Sequence, residues 1–169
     1  MKEMSHTHFL RPMMAALLFT LAMACHRHAP ALPPDPSRIP DLAAWQPLGG
    51  LRPSFAGPHR GALQRTFLNP IALQALNDNA FQPWPEGSQL VKEALDRQGA
   101  RLGWFWMSKE RGQWVWGQAG VDGRVTWRQR GGDTSCAACH TKNAAQFDGA
   151  FAPVWAGKGR LHIGIGSTP

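Results

Sequence analysis

Five consecutive residues late in the chain carry the clearest chemistry: Cys136-Ala137-Ala138-Cys139-His140. In a C-x-x-C-H run, two thiols can add across the two vinyl groups of one haem, and the adjacent histidine is placed to ligate its iron. Cys136 and Cys139 are therefore read as the attachment points of a single haem c, and His140 as the axial iron ligand. Other chemistries use the same residue types. A structural zinc site needs four ligands, and beyond Cys136, Cys139 and His140 the plausible fourth is His59 or His162. A thioredoxin-like dithiol follows a strand in a βαβ pattern, whereas Gly131-Gly132-Asp133 precedes this motif. A plain Cys136–Cys139 disulfide is the remaining option.

The residues available for the other side of the iron are few. The chain runs from His140 to Pro169 without a methionine, and Met107 is the one methionine beyond residue 23. A methionine–histidine pair would require Met107, and His59 and His162 are the other candidates for a sixth ligand. The expected arrangement is His140 on one side and an open or water-filled position on the other. An open iron binds small molecules, while a six-coordinate one mainly carries electrons.

Haem attachment of this kind takes place outside the cytoplasm, and the N-terminus agrees. Residues 1–24 read as a signal peptide: Lys2 and Arg11 precede the apolar run Met13–Ala24, which closes on Ala22-Met23-Ala24. That run is shorter than the ~20 residues needed to span a bilayer. Cys25 comes directly after it, so the mature chain is either anchored to a membrane by a lipid on Cys25 or simply cleaved. Both fates place it in the periplasm. Residues 25–53 hold half of the chain's 14 prolines and read as a linker, leaving 54–169 as the haem domain.

Composition excludes other classes. Charged residues are 17% and hydrophobic ones 43%, which rules out a highly charged disordered chain or a coiled coil. The 18 Lys+Arg against 11 Asp+Glu give +7, but the cations are scattered and form no nucleic-acid-binding patch. A basic surface of this sort also suits docking of an acidic redox partner.

The elements that must position the motif are mostly strands. Gln64–Leu68, Ser88–Leu95, Leu102–Met107, Gln113–Trp116 and Val125–Trp127 read as strands separated by Gly- and Asp-containing turns, with a short helix Ile71–Asn77 opened by Asn69-Pro70. The expected fold is mainly β with short helices, an antiparallel meander or sandwich packed on the haem, with the C-x-x-C-H run on a short helix near the C-terminus. Side chains alternate along a strand, so Trp104 and Trp106 share one face and Phe105 and Met107 the other. By the same rule Lys92 shares a face with Leu90 and Ala94, while Glu93 points away.

Four stretches resemble the cytochrome P-460 family, which includes the cytochromes c′-beta: Arg65–Pro70, Trp84–Glu93, Met107–Glu110 with Trp114, and Ser135–Ala144. Together they cover most of residues 60–155. The resemblance implies that Lys92 stands where some members bind a lysine covalently to the porphyrin rim, giving a lysine-modified haem. It also implies one of two activities. Cross-linked members oxidise hydroxylamine with the help of a distal carboxylate; the cytochromes c′-beta have an aromatic pocket and bind nitric oxide or other gases. Phe105 falls where the carboxylate is expected, with Glu93, Glu110 and Asp148 as substitutes elsewhere, and Arg65 is placed with Phe105 in the pocket wall. The expectation is thus a mono-haem protein oxidising hydroxylamine or nitric oxide and passing electrons to a soluble cytochrome. A non-enzymatic gas binder and a plain electron carrier are the alternatives. The family often forms homodimers.

Overall fold

The period-two pattern of the middle of the chain folds as a single antiparallel sheet. The structure, a computed structural model, describes residues 37–54, 59, 61–132 and 134–159. The signal-peptide segment, Cys25 and His162 lie outside the described residues. Among the described residues seven strands are present: β1 (Gln46–Pro47), β2 (Arg52–Pro53), β3 (Leu63–Leu68), β4 (Gln89–Leu95), β5 (Arg101–Glu110), β6 (Gln113–Ala119) and β7 (Val125–Arg130). The order is β1-β3-β4-β5-β6-β7, with β2 also pairing β3, and every pairing is antiparallel. From β3 onward neighbours in sequence are neighbours in space, as expected of a meander, and the sheet is one layer rather than two sheets of a sandwich. Among the described residues, no helix is long and apolar enough to cross a membrane.

Part of the proline-rich stretch belongs to this fold. Gln46 and Pro47 pair with Leu68 and Phe67, and Arg52 and Pro53 with Gln64 and Leu63. Ile39, Leu42 and Trp45 pack on a cluster of Val91, Trp104 and Ala119. Prolines are tolerated there because these two-residue strands lie on the outer side of β3, where a missing N–H leaves no central ladder bond unmade.

The helices arise from local caps. Helix α1 (Pro70–Asn77) starts where the Asn69 side chain accepts from the Ala72 N–H at 2.9 Å, with proline in the first turn. The same amide donates to Gly87 O at 2.8 Å and accepts from the Gln89 N–H at 3.1 Å, which ties the helix start to the start of β4. Helix α2 (Ser135–Ala144) is capped by Thr134, whose hydroxyl accepts from the Ala137 N–H at 2.8 Å, and carries Cys136, Cys139 and His140. A 3-10 turn (Ala145–Phe147) and helix α3 (Ala152–Trp155) complete the chain described.

Register decides which face meets α2. The row Leu68–Leu90–Met107–Trp116 runs across β3, β4, β5 and β6. These four residues share the main core with Ala137 and Ala144 of α2. The next row on that face is Thr66–Lys92–Phe105–Gln118. The reverse face carries Phe67, Val91, Trp104 and Trp106, backed by the 39–45 segment.

Candidate functional site

The second row and the end of the main core enclose one crevice, into which α2 and α3 project. His59, Lys92, Phe105, Met107, Cys136 and His140 line it, with Phe151 and Trp155 closing the side made by α3.

His140 is the most constrained residue of the site. Its ring packs edge-on against Trp116 and Phe151, each at 4.7 Å between centroids, and the residue is 7% exposed. Nδ1 lies 2.6 Å from Gly149 O. A carbonyl can only accept, so Nδ1 carries the hydrogen and Nε2 keeps a free lone pair. Burial first, and the Lys92 charge second, lower the His140 pKa to about 3, outweighing the Gly149 bond that raises it. The imidazole is therefore neutral at ordinary pH, which is the form a metal requires.

The carbonyl that fixes this tautomer is itself anchored. Asp148 adopts a left-handed conformation (φ 50°), as does Gly149 (φ 81°), and this reverses the chain after the 3-10 turn. The Asp148 carboxylate accepts from Lys109 Nζ at 2.6 Å and from the Trp84 N–H at 3.0 Å. Its backbone oxygen accepts from Trp114 Nε1 at 2.5 Å, and Phe147 O accepts from Trp84 Nε1 at 3.0 Å. Two tryptophans and a buried lysine thus hold the loop that holds the histidine. Sequence reasoning missed this set; the αL pair Asp148-Gly149 was its local signal, but the donors come from elements 34 to 64 residues away.

Lys92 sits in the same crevice. Its Nζ is 4.8 Å from the centre of the Trp155 ring and 5.8 Å from that of Phe151. The residue is half-buried, with its amine against these two rings. Burial lowers its pKa to about 8, against the opposing pull of Cys139 and Cys136. The result is a larger share of neutral, nucleophilic amine. The two cysteines are not joined to each other. Burial pushes the Cys136 thiol up, and Cys139 Sγ lies 3.5 Å from Asn143 Nδ2.

His59 stands on the Phe105 side, edge-on to that ring at 4.2 Å. Phe105 is the direct register neighbour of Lys92. Met107, one row away, is 5% exposed and belongs to the core cluster as well as to the crevice wall.

Arg65 lies elsewhere. It pairs with Glu93 across β3 and β4, which puts it on the face opposite Lys92, and its guanidinium approaches the Glu93 carboxylate at 3.9 Å. The carboxylates considered as proton-moving substitutes are all engaged by cations: Glu93 by Arg101 at 2.7 Å, Glu110 by Arg128 and Arg130 at 2.8 and 2.9 Å, and Asp148 by Lys109. No carboxylate is among the described residues lining the crevice.

The donor chemistry distinguishes the candidate ligands. Among the described residues no three His, Cys, Asp or Glu side chains gather into a set that could hold one metal ion. A zinc site would need such a set, and His162, one of its candidate ligands, lies outside the described residues. A haem does not, because its vinyl carbons and its iron are separate points of attachment. Two unjoined thiols, a neutral imidazole with a free Nε2 and a predominantly aromatic wall suit that group. Cys136, Cys139 and His140 would hold it, and Lys92 shares the crevice.

No protein-family model matches the chain, and no curated protein matches it in sequence.

Proposed function

We propose that this is an exported mono-haem c protein that binds small neutral ligands such as nitric oxide at an open, aromatic iron site. The observation that carries the reading is the tautomer lock at His140: a buried imidazole bonded at Nδ1 to Gly149 O offers Nε2 next to two unjoined thiols. When bound, a haem would supply an iron centre for ligand binding or redox change. The chain's own part is to fix the imidazole and exclude water with Phe105, Phe151 and Trp155, and among the described residues no carboxylate lines the crevice. The last point favours ligand binding over a turnover that relies on a distal carboxylate to move protons.

A second reading, oxidation of hydroxylamine or nitric oxide with electrons leaving to a soluble cytochrome, is favoured by Lys92. Its amine is partly neutral near pH 8 and shares the crevice with Cys136.

The test is expression of the full chain in a periplasm equipped for c-type haem attachment. One haem per chain that survives denaturation, and its loss in a Cys136→Ala/Cys139→Ala double variant, is expected. The ferrous protein should bind nitric oxide. A Soret band shifted to the red and restored by Lys92→Ala, with hydroxylamine consumed, would transfer the conclusion to the enzymatic reading. A chain that emerges without haem refutes both, and a low-spin methionine-ligated spectrum lost in Met107→Leu would make it an electron carrier.

A further inference from the structure

The haem reading gives Lys92, Phe105 and His140 their parts, but it gives none to His59. His59 Nδ1 is buried and meets no hydrogen-bond partner. Buried polar nitrogens without partners are uncommon, because desolvation is then uncompensated. His140 shows the contrast, since its Nδ1 is engaged by Gly149 O. The ring of His59 is edge-on to Phe105 at 4.2 Å, and both side chains line the crevice, the other polar side chains there being Lys92, Cys136, His140, whose Nε2 a haem iron would occupy, and Trp106, whose Nε1 is a donor that is also buried without a partner.

We propose that His59 is a specificity-determining residue of this site, donating a hydrogen bond to a small ligand held on the haem iron while Phe105 beside it keeps water out. The inference rests on the haem reading. With its hydrogen on Nδ1, His59 presents a donor that finds no acceptor in the protein and is free to bond to whatever occupies the crevice. Burial first, and the Lys92 charge second, lower the His59 pKa to about 3. The ring is therefore neutral, with one N–H to give, and it discriminates by polarity rather than by releasing a proton. A phenylalanine alone would favour any apolar diatomic; a phenylalanine with an adjacent N–H favours ligands whose outer atom becomes partly negative on the iron.

The experiment uses the haem-loaded full chain and carbon monoxide as the probe of local field. A hydrogen-bond donor near the bound molecule lowers the C–O stretching frequency. In His59→Leu the stretch is expected to move to higher wavenumber, and in His59→Gln, which restores an N–H donor, to return most of the way. The dissociation rate of a polar ligand such as dioxygen is expected to rise roughly fivefold in His59→Leu, the worth of one net hydrogen bond. Should His59→Leu fail to fold, the comparison of wild type with His59→Gln and His59→Phe gives the same ordering. Equal C–O stretches in all folded variants would overturn the proposal while leaving the haem reading intact. A low-spin wild-type spectrum converted to high spin by His59→Leu would also overturn it, by making His59 an iron ligand. A chain without haem would overturn the haem reading itself.

Discussion

Substituting Asp148 should loosen the loop that orients His140, by an amount the structure allows one to work out. Lys109 and Asp148 approach to 2.6 Å, with their side chains 6% and 27% exposed. Removing one partner of a buried pair typically costs about 3–5 kcal/mol, because the other charge stays buried and uncompensated. Asp148→Asn keeps an oxygen for the Trp84 N–H and tolerates the left-handed backbone, and the site is partly open to water, so a loss of about 2–3 kcal/mol is expected. Lys109→Met leaves a carboxylate that water can reach and should cost about 1–2 kcal/mol. The double variant should be little worse than Asp148→Asn, giving a coupling of about 1–2 kcal/mol in a double-mutant cycle. Urea unfolding of the four chains measures it, and thermal midpoints should fall by about 3–5 °C per kcal/mol. The His140 Nδ1–H resonance, far downfield because of its 2.6 Å bond to Gly149 O, should shift or broaden in Asp148→Asn. Losses that add to within about 0.5 kcal/mol, with an unmoved resonance, would refute the idea that this ion pair holds the histidine's carbonyl.

The same geometry leads to two more expected outcomes. A Cβ at Gly117 would lie 2.1 Å from the Trp106 ring, its register partner, so Gly117→Ala should displace that indole and cost about 1–3 kcal/mol; an unchanged urea midpoint and tryptophan fluorescence would contradict this. His59 and His140 are held near pKa 3 against an ordinary 6.5. Below pH 6.5 the unfolded chain therefore binds protons that the native one does not, and stability falls as pH drops toward 3. Thermal midpoints measured from neutral pH down into the acid range should show the fall, and His59→Leu should flatten part of it; an identical slope in that variant would dissociate His59 from the effect.

Local pattern settled much of this protein. Period-two alternation put Lys92 with Leu90 and Phe105 with Met107, because successive side chains of a strand must point to opposite faces whatever the strand pairs with. Asn69-Pro70 announced α1, since a cap and a proline in the first turn satisfy the helix start from within the chain itself. The C-x-x-C-H spacing, being contiguous, was visible without any fold. What only tertiary structure decided was non-local. Register placed Arg65 beside Glu93 on the reverse face and Lys92 beside Phe105, and a shift of one residue would have exchanged those faces. The short strands at 46–47 and 52–53 exist only because β3 offers them a ladder. The partner of His140 Nδ1 is a carbonyl nine residues on, held by a lysine and two tryptophans from the sheet and its approach. No propensity of those residues encodes that meeting; it comes from packing the loop against a core that the whole meander has to build first.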